Sequence, residues 1–196
     1  MTLLKIARMG HPVLLERAEE VPDPTAREIR ALVESMVETM VDAQGVGLAG
    51  PQVHMSRRVI IFNSPRGRSG PDAPETDFAP LTALINPEIE VLDEKLVLGW
   101  EGCLSIPGLT GAVPRHTRIR YRGFSPNGDR IEREATGFHA RVVQHECDHL
   151  DGILYPMRMT DLSLLSFTDE LQRRTHSAQA DDADDDADDD DEPSDG

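Results

Sequence analysis

The order of the predicted elements is that of an α+β fold, because one early helix is followed by a run of strands and then by two further helices. The strand run contains a tight-turn signal, Asn127-Gly128 within SPNGD, which is typical of a hairpin between antiparallel strands. We therefore predict mostly antiparallel strands packed around a central helix, with N-terminal and C-terminal helices in addition.

The first helix is predicted over residues 24–43, where apolar residues recur at helical spacing. Asp23 is expected to cap its N-terminus, with Pro24 in the first turn. Gly45 and Gly47 are expected to end it. The apolar face is expected to pack on the core, and it consists of Ile29, Leu32, Val33, Met36, Val37, Met40 and Val41.

The middle of the chain predicts strands rather than helices, since short β-branched and apolar runs are separated by Pro, Gly and Ser. The predicted strands span 59–62, 82–86, 89–98, 117–124 and 130–135. Residues 64–80 are predicted to form a surface loop. A second helix is expected from Thr136 or Gly137 to Leu150, and a third around residues 161–174.

The last residues differ sharply in composition from the rest. Residues 181–196 carry eleven acids and no base; since the whole chain has a net charge of −16, residues 1–180 carry −5. We predict one domain over 1–176 and a disordered acidic tail over 177–196. The tail is expected to be a solvated segment; contact with basic partner surfaces and weak metal buffering are the alternatives.

Composition also limits the class of protein. Two cysteines are too few to indicate a secreted disulfide scaffold, and no apolar run reaches the length of a membrane span. The N-terminus shows no signal-peptide pattern, so we expect a cytoplasmic protein. The negative net charge argues against nucleic acid as the main partner.

The strongest single motif is His145-Glu146-Cys147-Asp148-His149, an H-E-x-x-H pattern. On a helix, positions i and i+4 share a face, so both imidazoles can bind one metal ion, with Glu146 beside the ion's water. The pattern is the signature of a metal-dependent hydrolase, although two ordinary histidines on a polar helix face would look the same. Cys147 is expected to point away and pack in the core.

A third protein ligand is needed for a catalytic metal site. Downstream of the motif, Asp151, Asp161 and Glu170 are possible but follow no recognised pattern. Cys103, in Glu101-Gly102-Cys103-Leu104-Ser105, is the better candidate because a thiolate is a strong ligand for a divalent metal. Taken alone, Cys103 would be interpreted as a small buried hydrophobe.

A glycine-rich segment, GVGLAGPQ over residues 45–52, follows the first helix. Its glycines allow close backbone approach to a ligand. The pattern is neither a phosphate loop nor a dinucleotide fingerprint, because no Lys-Ser/Thr follows it and no strand leads into it. On its own it could be a plain connection between helix and strand.

Together, the segments GVGLAGPQ, EGCLSIPG and QHECDHL, in this order, resemble the three signature motifs of peptide deformylases of the bacterial type. The resemblance extends over about residues 4–160 and includes KIARMGHPVLLERAEEV, GLTGAVPR and RYRGFSPNGD. Two features depart from the family pattern: Gly50 stands where the family usually has Ala, which is expected to loosen the loop slightly, and the acidic tail is additional.

The resemblance implies removal of the formyl group from N-formylmethionine of new polypeptides. It implies Cys103, His145 and His149 as metal ligands and Glu146 as the group that moves protons. It also implies that the Leu104 backbone N–H and the Gln52 side-chain amide stabilise the developing oxyanion.

The methionine side chain needs an apolar pocket, for which Val46, Phe138 and Val142 are candidates, although plain core packing would also explain them. Gly47 is expected to offer its backbone to the peptide chain. Two supporting contacts are also expected on physical grounds: Glu101 accepts a hydrogen bond from a metal-bound histidine, and Arg115 pairs with Asp148. Ordinary surface charges are the alternative for both.

The Cys/His/His set suits zinc by ligand softness, whereas the resemblance implies Fe²⁺ natively, with Zn²⁺, Ni²⁺ or Co²⁺ as substitutes. The expected partners are the nascent formyl-Met polypeptide and, as a further possibility, the ribosome near its exit tunnel, with no membrane. A bacterial cytoplasmic location is expected. An H-E-x-x-H metalloprotease and a non-catalytic, metal-bearing ribosome-binding module are the alternative functions.

Overall fold

The computed structural model describes residues 3–66, 68, 70 and 72–174. Within them, the first helix, α1, spans Arg27–Asp42 and buries the predicted apolar face except for Val37, which is half-buried, and Val41, which is exposed. The predicted cap was wrong: the helix begins after Ala26, and Asp23 instead accepts hydrogen bonds from the backbone N–H and hydroxyl of Thr25. The short Asp side chain stabilises the turn before the helix, a role that competes with capping.

Six strands in the described part of the chain form one antiparallel sheet in the order β1-β2-β3-β4-β5, with β6 paired to β4. Their bounds are β1 Gly47–Ala49, β2 Val59–Ser64, β3 Ala79–Cys103, β4 Ile106–Phe124, β5 Arg130–Thr136 and β6 Leu165–Phe167.

The long β3–β4 hairpin differs from the prediction, which divided β3 into two strands at Asn86-Pro87. The chain continues through this point as one strand with a register shift between Ile85 and Glu88, and Asn86 has a positive φ of 51°. The Asn86 side chain exchanges hydrogen bonds with the backbone of Val21. Proline therefore marks a bulge here and not a strand end. The hairpin places Cys103 at the end of β3, beside the short connection to β4.

Helix α2, Gly137–Leu150, begins and ends where the sequence predicted, and it packs against β1, β2 and β4. Residues 139–150 are buried apart from Arg141, as is fitting for a central helix. The third helix is shorter than predicted: residues 162–164 form a 3₁₀ turn, 165–167 form β6, and residues 168–174 are helical. Residues 165–167 pair with β4 and therefore join the sheet instead of the helix.

The core lies on both faces of the early strands. One cluster packs α2 against Ile60, Phe62 and Tyr121, and another packs α1 against Val59 and Ile61. The α+β arrangement with antiparallel strands, a central helix, and N-terminal and C-terminal helices is confirmed. The predicted acidic tail, 177–196, lies outside the described residues. None of the described helices combines the length and apolarity that crossing a membrane requires.

Candidate metal and active site

Three side chains converge at the junction between α2 and the β3–β4 connection. The ligand atoms of Cys103, His145 and His149 all lie within 4.8 Å of one another, and Cys103 Sγ is 3.3 Å from His149 Nε2. The two histidines come from one face of α2, as their i, i+4 spacing predicts. The cysteine comes from the end of β3, so the sheet supplies the ligand that the helix cannot.

The alternative third ligands are engaged elsewhere. Asp151 lies 2.8 Å from Arg58, Asp161 accepts a hydrogen bond from the Ser163 backbone, and Glu170 pairs with Arg173. The structure therefore brings Cys103 to the histidines and leaves the downstream carboxylates in other contacts.

Glu101 determines how His145 is oriented. Its Oε2 lies 2.9 Å from His145 Nδ1, as expected from the need for an acceptor beside a ligating histidine. Burial disfavours ionisation of Glu101, but hydrogen bonds from His145 and Arg115 outweigh it and lower the Glu101 pKa to about 2. The ionised carboxylate therefore holds a proton on Nδ1 and leaves Nε2 as the nitrogen that faces the ligand cluster. The corresponding Nδ1 of His149 is buried and has no hydrogen-bond partner among the described residues.

Arg115 connects Glu101, the partner of His145, to Asp148 of the H-E-x-x-H motif. It forms a two-pronged ion pair with Glu101, at 2.9 and 3.0 Å, and its Nη1 lies 2.6 Å from Asp148. The predicted Arg115–Asp148 pair is thus confirmed, and both partners are buried. Arg158 adds two further bonds to Asp148, and Arg141 adds one to Glu101. Neither of these last two arginines was predicted. Arg141 lies one turn before His145, a position that could have indicated it, whereas no pattern in the sequence indicates Arg158.

Glu146 faces the glycine-rich segment. A Cβ atom added to Gly47 would lie 2.1 Å from Glu146 Oε1, so only glycine fits against this carboxylate. The other oxygen, Oε2, is buried and has no hydrogen-bond partner among the described residues. Burial raises the Glu146 pKa to about 7, although the neighbouring His145 acts in the opposite direction. A carboxyl group with this pKa can both accept and donate a proton near neutral pH.

The Gln52 side chain has a defined orientation. Its Oε1 accepts a hydrogen bond from the Ala49 backbone N–H at 2.8 Å, so its amide nitrogen must point the other way. That nitrogen lies 3.1 Å from Ser105 Oγ and 3.5 Å from Cys103 Sγ. Ser105, which belongs to no predicted site, therefore helps to hold an N–H donor beside the candidate metal ligands.

Gly50 lies at a close approach of two backbone segments, and the expected loosening of its loop stays a prediction. A Cβ atom at this position would lie 2.6 Å from the Arg57 carbonyl oxygen and 2.7 Å from that of Met55. Because backbone cannot easily give way, glycine here allows a close approach of two backbone segments. Cys147 is buried in the apolar cluster, as predicted, and burial raises its thiol pKa far above the ordinary value.

A cavity of about 430 Å³ is lined by two of the three convergent side chains, Cys103 and His145. The cavity is also lined by all four residues proposed to bind substrate, which are Val46, Gly47, Phe138 and Val142. Gln52, Glu146 and Leu104, the candidates for catalysis, line it as well. Val46, Phe138 and Val142 also pack on the main core cluster. The rim includes Arg68 and Trp100, which the sequence analysis did not identify because they belong to no motif.

The residues present fit a divalent metal ion. One thiolate and two imidazoles are suitable donors, and burial lowers the pKa of His149 well below its ordinary value, which keeps this imidazole neutral and able to coordinate. The buried Glu146 Oε2 without a partner is further support, since such an oxygen needs a donor, and water at a metal ion would be one.

Comparison with known proteins decides the family. The family model described as polypeptide deformylase matches residues 3–164. The chain belongs to the polypeptide deformylase family. Peptide deformylase 1 of Bordetella pertussis is 54% identical over 166 residues, covering 85% of this chain and 93% of the relative. Peptide deformylase 1 of Xanthomonas campestris pv. campestris is 50% identical over 167 residues, covering 85% and 96%.

Solved deformylase structures share the fold. A class I type b peptide deformylase from Acinetobacter baumannii, bound to Met-Ala-Ser, superimposes with a TM-score of 0.73 at 37% identity, covering 81% of this chain and 99% of that one. The Ehrlichia chaffeensis peptide deformylase in complex with actinonin gives 0.75 at 33% identity, covering 83% and 92%. This chain is accordingly a metal-dependent hydrolase that removes the formyl group from N-formylmethionine of new polypeptides.

Proposed function

We propose that this deformylase binds one divalent ion through Cys103, His145 and His149 and uses Glu146 to move the protons of the reaction. The convergence of the three ligand atoms within 4.8 Å of one another, beside a cavity lined by Cys103, His145 and Glu146, carries this assignment. When bound, the ion would lower the pKa of a water toward neutrality and polarise the formyl carbonyl.

Glu146 accepts a proton from the attacking water, whose oxygen forms a bond to the formyl carbon. It then donates that proton to the nitrogen as the C–N bond breaks, so that formate and a free N-terminal methionine leave. A pKa of about 7 suits both directions of transfer. Contact with Gly47 limits where the carboxylate can lie, which supports a fixed position for it.

Gln52 and Leu104 stabilise the negative charge that develops on the formyl oxygen. The bond from Ala49 and the contact with Ser105 orient the Gln52 amide nitrogen toward the ligand cluster before substrate arrives. Such preorganised donors are each worth about 3 kcal/mol of transition-state stabilisation. The Leu104 backbone N–H is the second donor, supported by its position between Cys103 and Ser105 on the cavity wall.

The methionine side chain of the substrate occupies the apolar part of the cavity formed by Val46, Phe138 and Val142. Gly47, at the first residue of the edge strand β1, offers backbone groups to the peptide. A peptide that adds to this edge in an extended conformation would present its first side chain to the cavity.

The native ion is proposed to be Fe²⁺, with Zn²⁺, Ni²⁺ or Co²⁺ able to replace it. A thiolate beside Fe²⁺ is sensitive to oxidation. Enzyme purified without oxygen should therefore contain iron and lose activity in air, whereas nickel-substituted enzyme should not. Full activity of the iron form after long exposure to air would contradict this assignment.

The nascent formyl-Met polypeptide is the substrate, and we place the enzyme in the bacterial cytoplasm, near the exit tunnel of the ribosome, because formylated N-termini emerge there. Cosedimentation with ribosomes, for the full chain and for a chain ending at residue 176, tests this location. Absence of the full chain from the ribosome fraction would remove the ribosome as a partner.

Formate release from formyl-Met-Ala-Ser tests the site assignment. Cys103→Ser should lose metal and formate release, whereas Cys147→Ala, in the same helix motif but packed in the core, should keep both. The same enzymes are incubated with unformylated peptides that contain internal amide bonds. Formate release by metal-free Cys103→Ser, or cleavage of internal bonds at comparable rates, would contradict the proposal.

A further inference from the structure

The rim of the cavity contains an exposed cation, Arg68, above the apolar pocket. Its guanidinium carbon lies 5.0 Å from the centre of the Phe138 ring, within the range of a cation–π contact. Arg68 and Phe138 both line the cavity that Cys103 and His145 also line. A peptide entering the pocket with its methionine against Phe138 must therefore pass close to this positive charge.

The other charges of the cavity wall are compensated or sequestered. Arg141 donates to the Glu101 carboxylate and to the carbonyl oxygens of Val97, Gly99 and Val113. Glu101 is itself paired with Arg115 and His145, and Glu146 is 4% exposed on the floor. In the part of the chain that the structure describes, no carboxylate lies within ion-pair distance of Arg68.

Arg66 in the same segment shows the contrast. It forms a two-pronged pair with Glu75, at 2.7 and 2.8 Å, and stacks on Phe78, outside the cavity. Both arginines are exposed, but the charge of Arg66 is neutralised by Glu75, whereas Arg68 lies at the cavity rim without a carboxylate partner among the described residues.

We propose that Arg68 is a specificity-determining residue that favours formyl-Met peptides with Asp or Glu soon after the methionine. An acidic side chain at the second or third position would supply the carboxylate that Arg68 lacks. Since the pair would be partly exposed to solvent, the expected gain is about two- to fivefold in kcat/KM over a neutral peptide. The proposal rests on the active-site assignment made above.

Formate release is measured on formyl-Met-Ala-Ser, formyl-Met-Asp-Ser and formyl-Met-Ala-Glu, and on the two lysine counterparts of the acidic peptides. The enzymes are wild type, Arg68→Gln, Arg68→Lys and the matched control Arg66→Gln. At low salt, wild type, Arg66→Gln and Arg68→Lys should prefer the acidic peptides, and raising the salt should diminish the preference. Arg68→Gln should process all five peptides within about twofold of one another while keeping wild-type activity on formyl-Met-Ala-Ser.

An equal loss on all peptides in Arg68→Gln would overturn the proposal, because it would show that Arg68 merely covers Phe138. A preference for acidic peptides that survives in Arg68→Gln would also overturn it. Activity of the wild type on formyl-Met-Ala-Ser reports on the active-site assignment alone. Its absence would defeat that assignment and this proposal together, whereas activity without an acidic preference would defeat only this one.

Discussion

The Glu101 carboxylate lies 2.9 Å from Nδ1 of His145, on the side of the imidazole opposite to the ligand cluster. Because an ionised acceptor at Nδ1 fixes the ring and makes Nε2 a better donor to a metal, Glu101→Gln should weaken metal binding about 10- to 100-fold. Competition with a chelator measures this affinity. Glu90→Gln is the matched control, since Glu90 lies on the same strand in an exposed pair. Equal affinities in the two variants would contradict the role of Glu101.

Gly47→Ala should abolish most turnover while leaving metal bound. A Cβ atom here would lie 2.1 Å from Glu146 Oε1, so the carboxylate must move by about an ångström, a displacement that can cost about 100-fold in rate. Gly102→Ala is the control for folding and metal content, because its Cβ would meet only the Leu109 carbonyl oxygen, at 3.8 Å. Formate release by Gly47→Ala within a few-fold of wild type would show that Glu146 tolerates displacement.

Arg115→Met should destabilise the protein by about 3 to 5 kcal/mol, because it leaves two buried carboxylates, Glu101 and Asp148, with fewer partners. Arg118→Met, on the same strand but in an exposed pair with Glu134, should cost less than about 1 kcal/mol. Urea unfolding of both variants, with metal in excess, measures the difference. Similar unfolding midpoints and activities for Arg115→Met and Arg118→Met would mean that the buried ion pairs of Arg115 add no more stability than an exposed pair.

His139 should make stability depend on pH. Burial lowers its pKa, and its two ring nitrogens contact the Thr76 carbonyl and the Tyr121 hydroxyl. The unfolded chain therefore binds a proton at His139 more readily than the folded one does. The contribution of neutral His139 to the free energy of unfolding is complete above about pH 6.5 and is lost as the pH falls below that value. The free energy of unfolding, measured from pH 7.5 to 5.5, should fall more steeply for wild type than for His139→Gln. Parallel curves would contradict this.

The sequence predicted those parts of the site that depend on local spacing. The i, i+4 histidines fix their common helix face within a single element, so the bounds of α2 and the positions of His145 and His149 follow directly. Cys103 lies 42 residues earlier in the chain. It could be suggested by its chemistry and by the family motifs, but its convergence with the histidines depends on the β3–β4 hairpin.

Other features could not be predicted because they arise from tertiary packing. Arg158 and Ser105 belong to no periodic pattern, yet they hold Asp148 and Gln52 in place. Asn86-Pro87 looks like a strand end in the sequence, but pairing with β4 continues on both sides of it. Gly50 allows a close approach to the carbonyl groups of Met55 and Arg57, which no motif in the sequence indicates.

The metal-loaded Glu146→Gln enzyme tests the central claim most directly, because glutamine keeps the size of the side chain but cannot carry the proton. The measurement is formate release from formyl-Met-Ala-Ser, with metal content determined on the same sample. We expect one ion per chain and a rate at least about 100-fold below wild type. A rate within a few-fold of wild type at full metal content would contradict the role of Glu146 and the mechanism built on it.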